Sequence, residues 1–252
     1  ELDPMETTTD RRSRQWFFYA KDQFYLRRGV VIEAGFAVNR TFGREIPQGQ
    51  GIFILTPDGK RGNNYIDAVR KAGRDQSLVM AVLPSMQLAG THQIKTGISF
   101  DRVSYWQNVR RTGYEHQRSD STALVRVVFQ GSGQLSRENT EATWHAQDSW
   151  KMRKNLLLEI GLRADWNRLI GNTSAAPRFG FAWSPSRLQQ TKMFGAFSVV
   201  NEAAPLRVFA RPMDQFPLAT YYSPDGTIVR GPAISLYVAE GPYRTPRYQI
   251  SI

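Results

Sequence analysis

Three histidines, His92, His116 and His145, are the side chains here best matched to proton transfer or metal ligation near neutral pH. None stands at metal-ligand spacing from a carboxylate or from another histidine. His92 and His145 fall in strand-like stretches and His116 in a loop-like one, so all three read as structural or solvent-facing. Cysteine is absent, which excludes disulfide scaffolds, thiolate zinc sites and cysteine nucleophiles. No G-x-S-x-G, H-E-x-x-H or phosphate loop occurs, and Gly49-Gln50-Gly51 is an isolated glycine pair. The expectation is a chain that is not an enzyme and holds no cofactor and no metal.

Two groupings suit binding instead. Arg110, Arg111, Tyr114, His116 and Arg118 form an aromatic-basic segment matched to an anionic or sugar-like ligand. The plainer reading of the same segment is a solvated loop. Asp101, Glu159, Arg163 and Asp165 fall on one face by alternation, where they would line a wet interior. Asp58-Gly59 and Asp225-Gly226 are turn signals. The net charge of +11, from 33 Lys+Arg against 22 Asp+Glu, asks for an anionic partner. The basic residues recur in separated pairs such as Arg27-Arg28, Lys60-Arg61 and Arg153-Lys154, between strand-like stretches. That spacing fits solubilised turns and lipid phosphates as counter-charge, and nucleic acid is not expected.

The elements that hold these residues are strands. From Asn155 to Arg168 the even positions read Leu156, Leu158, Ile160, Leu162, Ala164 and Trp166, while the odd ones carry Glu159, Arg163 and Asp165. Period two over this length is a β pattern. It outruns the usual soluble strand of about 5–6 residues and satisfies the roughly 9–11 that a tilted membrane strand needs. Val30–Phe42, His92–Tyr105, Ala142–Trp150 and Phe179–Trp183 repeat the theme, and Thr191–Val200 is strand-like without clean alternation. Trp144, Trp150, Trp166 and Trp183 stand at or near the ends of apolar runs, as aromatic girdles do. The longest apolar run, Leu78–Leu83, is far short of the roughly 20 residues of a membrane helix.

Short connections at Ala89–Thr91, Lys151–Lys154 and Ser184–Gln190 contrast with a longer one at Ile170–Ala176. Bacterial barrels keep short turns on the periplasmic side and long loops outside. By that rule Thr140–Trp150 runs down, Asn155–Arg168 up, Arg178–Ser184 down and Thr191–Val200 up. His92–Tyr105 also runs up, so Trp106 to Asn139 is expected to be external, with Ala123–Phe129 a strand inside the outer loop. Gly43 to Ser77 reads as a second polar insertion, with a short strand at Ile52–Leu55 and a helical turn at Tyr65–Lys71. After Asn201 the proline-rich sequence reads as a very long outer loop or irregular structure. The chain opens Glu1-Leu2-Asp3-Pro4 without a signal-peptide pattern and reads as an internal fragment.

At this point the sequence resembles a family. Thr143-Trp144-His145-Ala146-Gln147-Asp148-Ser149-Trp150 followed by Leu156-Leu157-Leu158-Glu159-Ile160-Gly161-Leu162-Arg163-Ala164-Asp165 is similar to a barrel hairpin of TonB-dependent receptors. Ala175-Ala176-Pro177-Arg178-Phe179-Gly180-Phe181-Ala182-Trp183-Ser184-Pro185 resembles that family's next strand, and Lys192 to Phe197 the one after it. Gly90-Thr91-His92-Gln93-Ile94-Lys95-Thr96-Gly97 resembles an earlier strand. The motifs stand in the family's order within residues 90–200. The match is with the Oar-like subgroup, whose members carry a carboxypeptidase-regulatory-like domain before the plug, and Thr245 to Ile252 resembles that subgroup's strand after a long loop.

The resemblance implies an all-β fold: part of a transmembrane antiparallel β-barrel of the 22-stranded, plugged kind, with long extracellular loops. It assigns residues 1–252 to a partial barrel wall without its plug, in the outer membrane of a Gram-negative-type bacterium. The implied partners are outer-membrane lipid and lipopolysaccharide, the protein's own plug, the TonB system and a bulky, scarce transported solute. The alternatives are a smaller porin-like or adhesin barrel and a soluble β-sandwich binding module.

Overall fold

The structure, a computed structural model, describes residues 3–185, 191–201, 205–234 and 246–251. In chain order the strands are β1 (Thr9–Tyr25), β2 (Val31–Pro47), β3 (Phe53–Thr56), β4 (Gly59–Arg61), β5 (Ile66–Val82), β6 (Met86–Gln87), β7 (Thr91–Arg111) and β8 (Tyr114–Gln117). They continue as β9 (Ala123–Gln130), β10 (Gln134–Arg153), β11 (Leu156–Asn167), β12 (Asn172–Trp183), β13 (Met193–Asn201), β14 (Phe216–Tyr222), β15 (Ile228–Ile234) and β16 (Pro246–Ser251). One short helix, α1 (Leu206–Ala210), interrupts them.

The long strands build an antiparallel wall in the order β1-β2-β5-β7-β10-β11-β12-β13-β16, each pairing with the next long strand in sequence. The short strands build a second sheet in the order β15-β14-β9-β8-β3-β4. Connections alternate between two rims. Residues 26–30, 83–90 and 154–155, with 184–185 and 191–192, lie at one, and 48–65, 112–133, 168–171 and 205–234 at the other. Three of the latter group leave the wall and pair with one another as the second sheet. Ala123–Phe129 thus falls in an outer-loop strand, as parity demanded, and β16 pairs with β13 from Asn201↔Pro246 to Ala196↔Ser251.

Register sets the two faces. Ala34, Val79, Ile98, Trp144 and Ala164 share one cross-strand row, and Phe36, Ser77, Phe100, Ala142 and Trp166 the next. On the opposite face Gln76, Asp101, Glu141 and Asn167 form a row. A soluble sandwich buries its apolar face beneath a second sheet. Here Ile98, Ile160 and Leu162 are 45%, 48% and 42% exposed, with Leu156 and Leu158 only half-buried. The oily face looks outward and the polar face inward. Among the described residues no helix is long and apolar enough to cross a membrane, so any crossing is made by strands.

Several sequence expectations are corrected. Tyr65–Lys71 is no helical turn: β5 starts at Ile66 and β2 runs on to Pro47, which shrinks the Gly43–Ser77 insertion to residues 48–65. β7 extends to Arg111 and β10 begins at Gln134, inside the stretch expected to be a loop. The reason is length. The 21 residues of β7 rise roughly 70 Å at about 3.3 Å each, whereas the lipid-facing band of a barrel is about 25 Å tall. Above that band both faces meet water, and the apolar half of the alternation disappears. β1 escaped notice because Trp16, Phe17, Phe18 and Tyr19 put aromatics on both faces. The Ile170–Ala176 loop is only a turn before β12, and Trp144 lies within the oily band, opposite Ile98 and Ala164, not at its edge. The proline-rich stretch holds α1, β14 and β15. The Ser184–Gln190 turn falls mostly outside the described residues.

Candidate functional site: the inner face and the outer mouth

The inner face carries a built polar network. Arg74 Nε donates to Asp101 at 2.6 Å, and Gln76 adds a bond to the other carboxylate oxygen at 3.3 Å. Asp101 is 5% exposed, so these donors replace the water it has lost. Asp165 accepts from Arg163 Nε at 2.7 Å and from Thr143 Oγ1 at 2.8 Å, and Glu141 accepts from Asn139 at 2.9 Å and Asn167 at 3.1 Å. Asp101, Glu141, His145, Arg163, Asp165 and Arg178 border one open trough of about 520 Å³. Of the inward quartet read from alternation, Asp101, Arg163 and Asp165 meet there, while Glu159 borders a neighbouring trough beside Arg178.

His145 faces this trough. Its strand partner is Gly97, where an added Cβ would fall 2.7 Å from the imidazole Cε1. The glycine therefore gives the ring room to lie across the strand. His92 instead sits on the outward face at the short-turn rim. It bonds Asp148 at 2.6 Å, lies 2.8 Å from the Leu88 carbonyl and stacks on Trp150 at 5.1 Å. Trp150 Nε1 donates to the Ala89 carbonyl at 3.1 Å, so His92 and Trp150 together hold the 83–90 turn. His116 lies in β8 against Tyr114, 5.5 Å between ring centroids. No group of three or more His, Cys, Asp or Glu able to hold a metal is found among the described residues.

The aromatic-basic segment is held by the second sheet. Tyr114 packs in a cluster with Tyr65 (5.0 Å), Phe129 (6.3 Å) and His116. Arg118 donates to the Ala123 carbonyl at 2.6 Å and to the Tyr222 carbonyl, tying the β8–β9 hairpin to β14. Arg111 forms a bidentate pair with Asp214 at 2.8 and 2.9 Å, and its guanidinium lies 5.7 Å over Phe129. Arg110 is exposed on the opposite, outward face of β7. The structure therefore gathers Arg111, Tyr114 and His116 around one aromatic cluster, places Arg118 at a hairpin junction and leaves Arg110 apart.

Sequence reasoning missed the residues that seat the last excursion against the wall. Leu206 and Ala210 of α1 are buried, at 8% and 1% exposure, where the helix meets β7 and β10. Below it Arg70, Gln107, Arg111, Leu135, Arg207 and Asp214 border a second cavity of about 340 Å³. Burial alone would raise the Asp214 carboxyl, but the Arg111 guanidinium and the Gln215 amide outweigh it and hold it below the usual carboxylate range. Glu115, 6% exposed, behaves alike: burial opposes its charge, and Gln117 and Arg126 more than offset that. A detectable signal was Arg111 beside the rim together with an Asp214-Gln215 step, but their separation in sequence hid the pairing.

The β14–β15 turn carries its own titratable lock. The Ser223 hydroxyl and the Thr227 amide both donate to Asp225 and hold its carboxyl down at about 2. A lowered folded-state value stabilises the turn above the ordinary 3.8 and loses that contribution as pH falls through about 2. Carboxyl chemical shifts followed by NMR are expected to show Asp225 titrating near 2, and a midpoint at the ordinary value would show the lock absent.

No family model and no curated protein matches the chain. Among solved structures it is similar to the outer membrane transporter YddB from Escherichia coli, at a TM-score of 0.58 and 14% identity. The likeness covers 82% of this chain and 29% of that one, so the chain spans less than a third of its neighbour's length. At that identity the likeness speaks to fold, and it agrees with what register and exposure show: the chain has the fold of an outer-membrane β-barrel wall.

Proposed function

We propose that this chain forms part of the wall and outer mouth of an outer-membrane transporter that takes up a bulky, scarce solute. The observation that carries the reading is the division of one wall into an exposed oily outside and a hydrogen-bonded inside, with three excursions joined over one rim. Lipid solvates the first face and a water-filled or plugged interior the second. The inner network matches a plug or passing solute in kind, because its polar groups border an open trough. The motifs of the Oar-like TonB-dependent receptors support the finer reading, in which a plug fills the barrel and the TonB system supplies energy from the inner membrane. No covalent chemistry is part of the proposal, and a porin-like or adhesin barrel is the competing assignment.

The test uses the intact protein in its own membrane. Cells with and without it are compared for solutes depleted from the medium, before and after the inner-membrane proton gradient is collapsed. Gradient-dependent depletion of a bulky solute is expected. Depletion that survives the collapse would favour a passive porin-like channel, and recovery of the protein as a detergent-free soluble monomer would end the membrane reading.

A further inference from the structure

His92 faces more hydrogen-bond acceptors than a neutral imidazole can serve. Its Nδ1 lies 2.6 Å from Asp148 Oδ2, and its Nε2 lies 2.8 Å from the Leu88 carbonyl oxygen. A neutral ring carries hydrogen on one nitrogen only, whereas a carboxylate and a carbonyl can only accept. Both contacts are hydrogen bonds only when His92 and Asp148 share one further proton. Carboxylic acids ionise at about 3.9 and imidazolium at about 6.5 in model peptides, so that proton rests on the ring. The Trp150 indole stacks on the ring at 5.1 Å and offers the cation a π face. The other carboxylate oxygen, Asp148 Oδ1, is buried without a hydrogen-bond partner among the described residues, so the Asp148 charge relies on His92.

The charged groups around the ring are few. β10 brings Asp148 and Trp150 to it, and Met86 of β6 stands opposite it. Beyond β10, Ile160 and Leu158 stand opposite Asp148 and Trp150. Lys151 pairs with Thr91 on the inner face, and Arg153 pairs with Leu156 of β11, past the last β10 residue that meets β7. Arg27 and Arg28 belong to the adjoining 26–30 turn, which approaches the 83–90 turn at Gly29 and Pro84. Asp148 is thus the ionisable group that meets the ring directly.

The turn that His92 grips is held under strain. Ala89 has a φ of 50°, a left-handed conformation that alanine rarely adopts, and Gly90 has a φ of 130°. A Cβ on Gly90 would fall 2.7 Å from the Lys151 carbonyl oxygen, so the β10 main chain lies directly against the turn. Two side chains keep it there: His92 at the Leu88 carbonyl, and Trp150 Nε1 at the Ala89 carbonyl. Loss of one ring hydrogen sets a nitrogen lone pair against an acceptor and breaks one of these ties.

We propose that His92 is a protonation latch on the 83–90 turn. As an imidazolium it ties Leu88 to Asp148 of β10, and as a neutral ring it lets the Leu88 end go while β7 and β10 stay paired. The latch is therefore closed while the ring carries both hydrogens and opens as rising pH removes one. The inference concerns the rim alone and holds whichever solvent meets the outward face.

The experiment follows the intact protein in detergent from about pH 6 to about pH 9, the range in which histidine changes charge. Ring-nitrogen NMR of labelled histidine reads the protonation state, and the signal that His92→Phe removes is the one assigned. Amide exchange of residues 83–90, corrected for its intrinsic pH dependence, reads the turn. Both His92 nitrogens are expected to carry hydrogen at about pH 7, and turn exchange to rise about tenfold as the ring deprotonates, the effect of losing one charge-assisted bond. The two variants move in opposite directions. His92→Phe is expected to exchange at the parent's fast rate at every pH. Asp148→Asn is expected to stay slow throughout, because its amide donates to a neutral ring whose other nitrogen still serves Leu88. Heat-modifiable gel mobility confirms that each variant is folded, and the parent's own titration decides the matter where one is not. A His92 ring with a single hydrogen at about pH 7, a turn that exchanges alike on both sides of the titration, or a folded His92→Phe that keeps the parent's pH profile would each overturn the proposal.

Discussion

Ile98→Arg is expected to destabilise the folded barrel by about 2–4 kcal/mol, whereas Ser99→Arg, one residue along the same strand, stays within about 0.5 kcal/mol. The two positions are neighbours in sequence and opposites in solvent. Ile98 shares its outward row with Val79 and Trp144 and is 45% exposed to what the reading makes hydrocarbon. A guanidinium there has no water, and neither neighbouring strand offers a carboxylate in the row, Asp22 standing three strands away. Ser99 faces inward, between Leu78 and Thr143, on the side where Asp101 and Asp165 already hold arginines. Urea titrations of the intact protein refolded into lipid vesicles measure both. Equal tolerance of arginine at the two sites would mean that both faces meet water, and the wall would not be a membrane wall.

How much of this was legible depended on which solvent each strand segment meets. Leu156 to Trp166 announced itself because one face is oily and the other polar for its whole length. β5 did not, although it is just as long a strand. Its inward face carries Arg70, Arg74 and Gln76, and its outward face near the rim carries Asp67, Lys71 and Asp75, so charge appears at every phase. Period-two reading detects a difference between faces, and there is none where both are wet. β1 failed for the mirror reason, since Phe17 and Tyr19 put aromatics on the inward side as well. The turn signals fared better. Asp58-Gly59 and Asp225-Gly226 both mark hairpins, with φ of 144° and 85° at the glycines.

The second sheet was beyond local patterns because its pairings join separate excursions. β3 pairs with β8 in parallel across two different loops, and β9 pairs with β14 from a third. Each strand alone is too short to declare itself. What sequence did supply was parity: an even crossing count required Ala123–Phe129 to lie outside the wall. The inward quartet was also readable, because alternation alone decides a side chain's face. Which members meet in one trough required the cross-strand register.

Breaking the Arg111–Asp214 pair is expected to free the outer mouth. Both side chains are mostly buried, at 17% and 16% exposure, and the pair is bidentate. Gln215 adds a bond from the Arg111 backbone amide at 2.9 Å, so one short segment is fixed to the end of β7 by side chain and main chain together. Removing one partner strands the other's charge in a poorly hydrated place, which costs about 3–5 kcal/mol for a buried pair. Asp214→Ala is therefore expected to release residues 205–215 from the wall while β7 and β10 stay paired. Limited proteolysis from the cell exterior would then cut near Arg207 and Arg211, and solute access to the inner trough would rise. Arg111→Ala is expected to do the same, and Arg111→Ala/Asp214→Ala to be milder than either alone, because no lone charge is left. The depressed Asp214 carboxyl gives the same result by pH: the anchor is complete above the ordinary 3.8 and weakens as pH falls below it. Should Asp214→Ala leave the segment as protease-resistant as before, the apolar seating of Leu206 and Ala210 would be the true anchor and the ion pair a consequence of it.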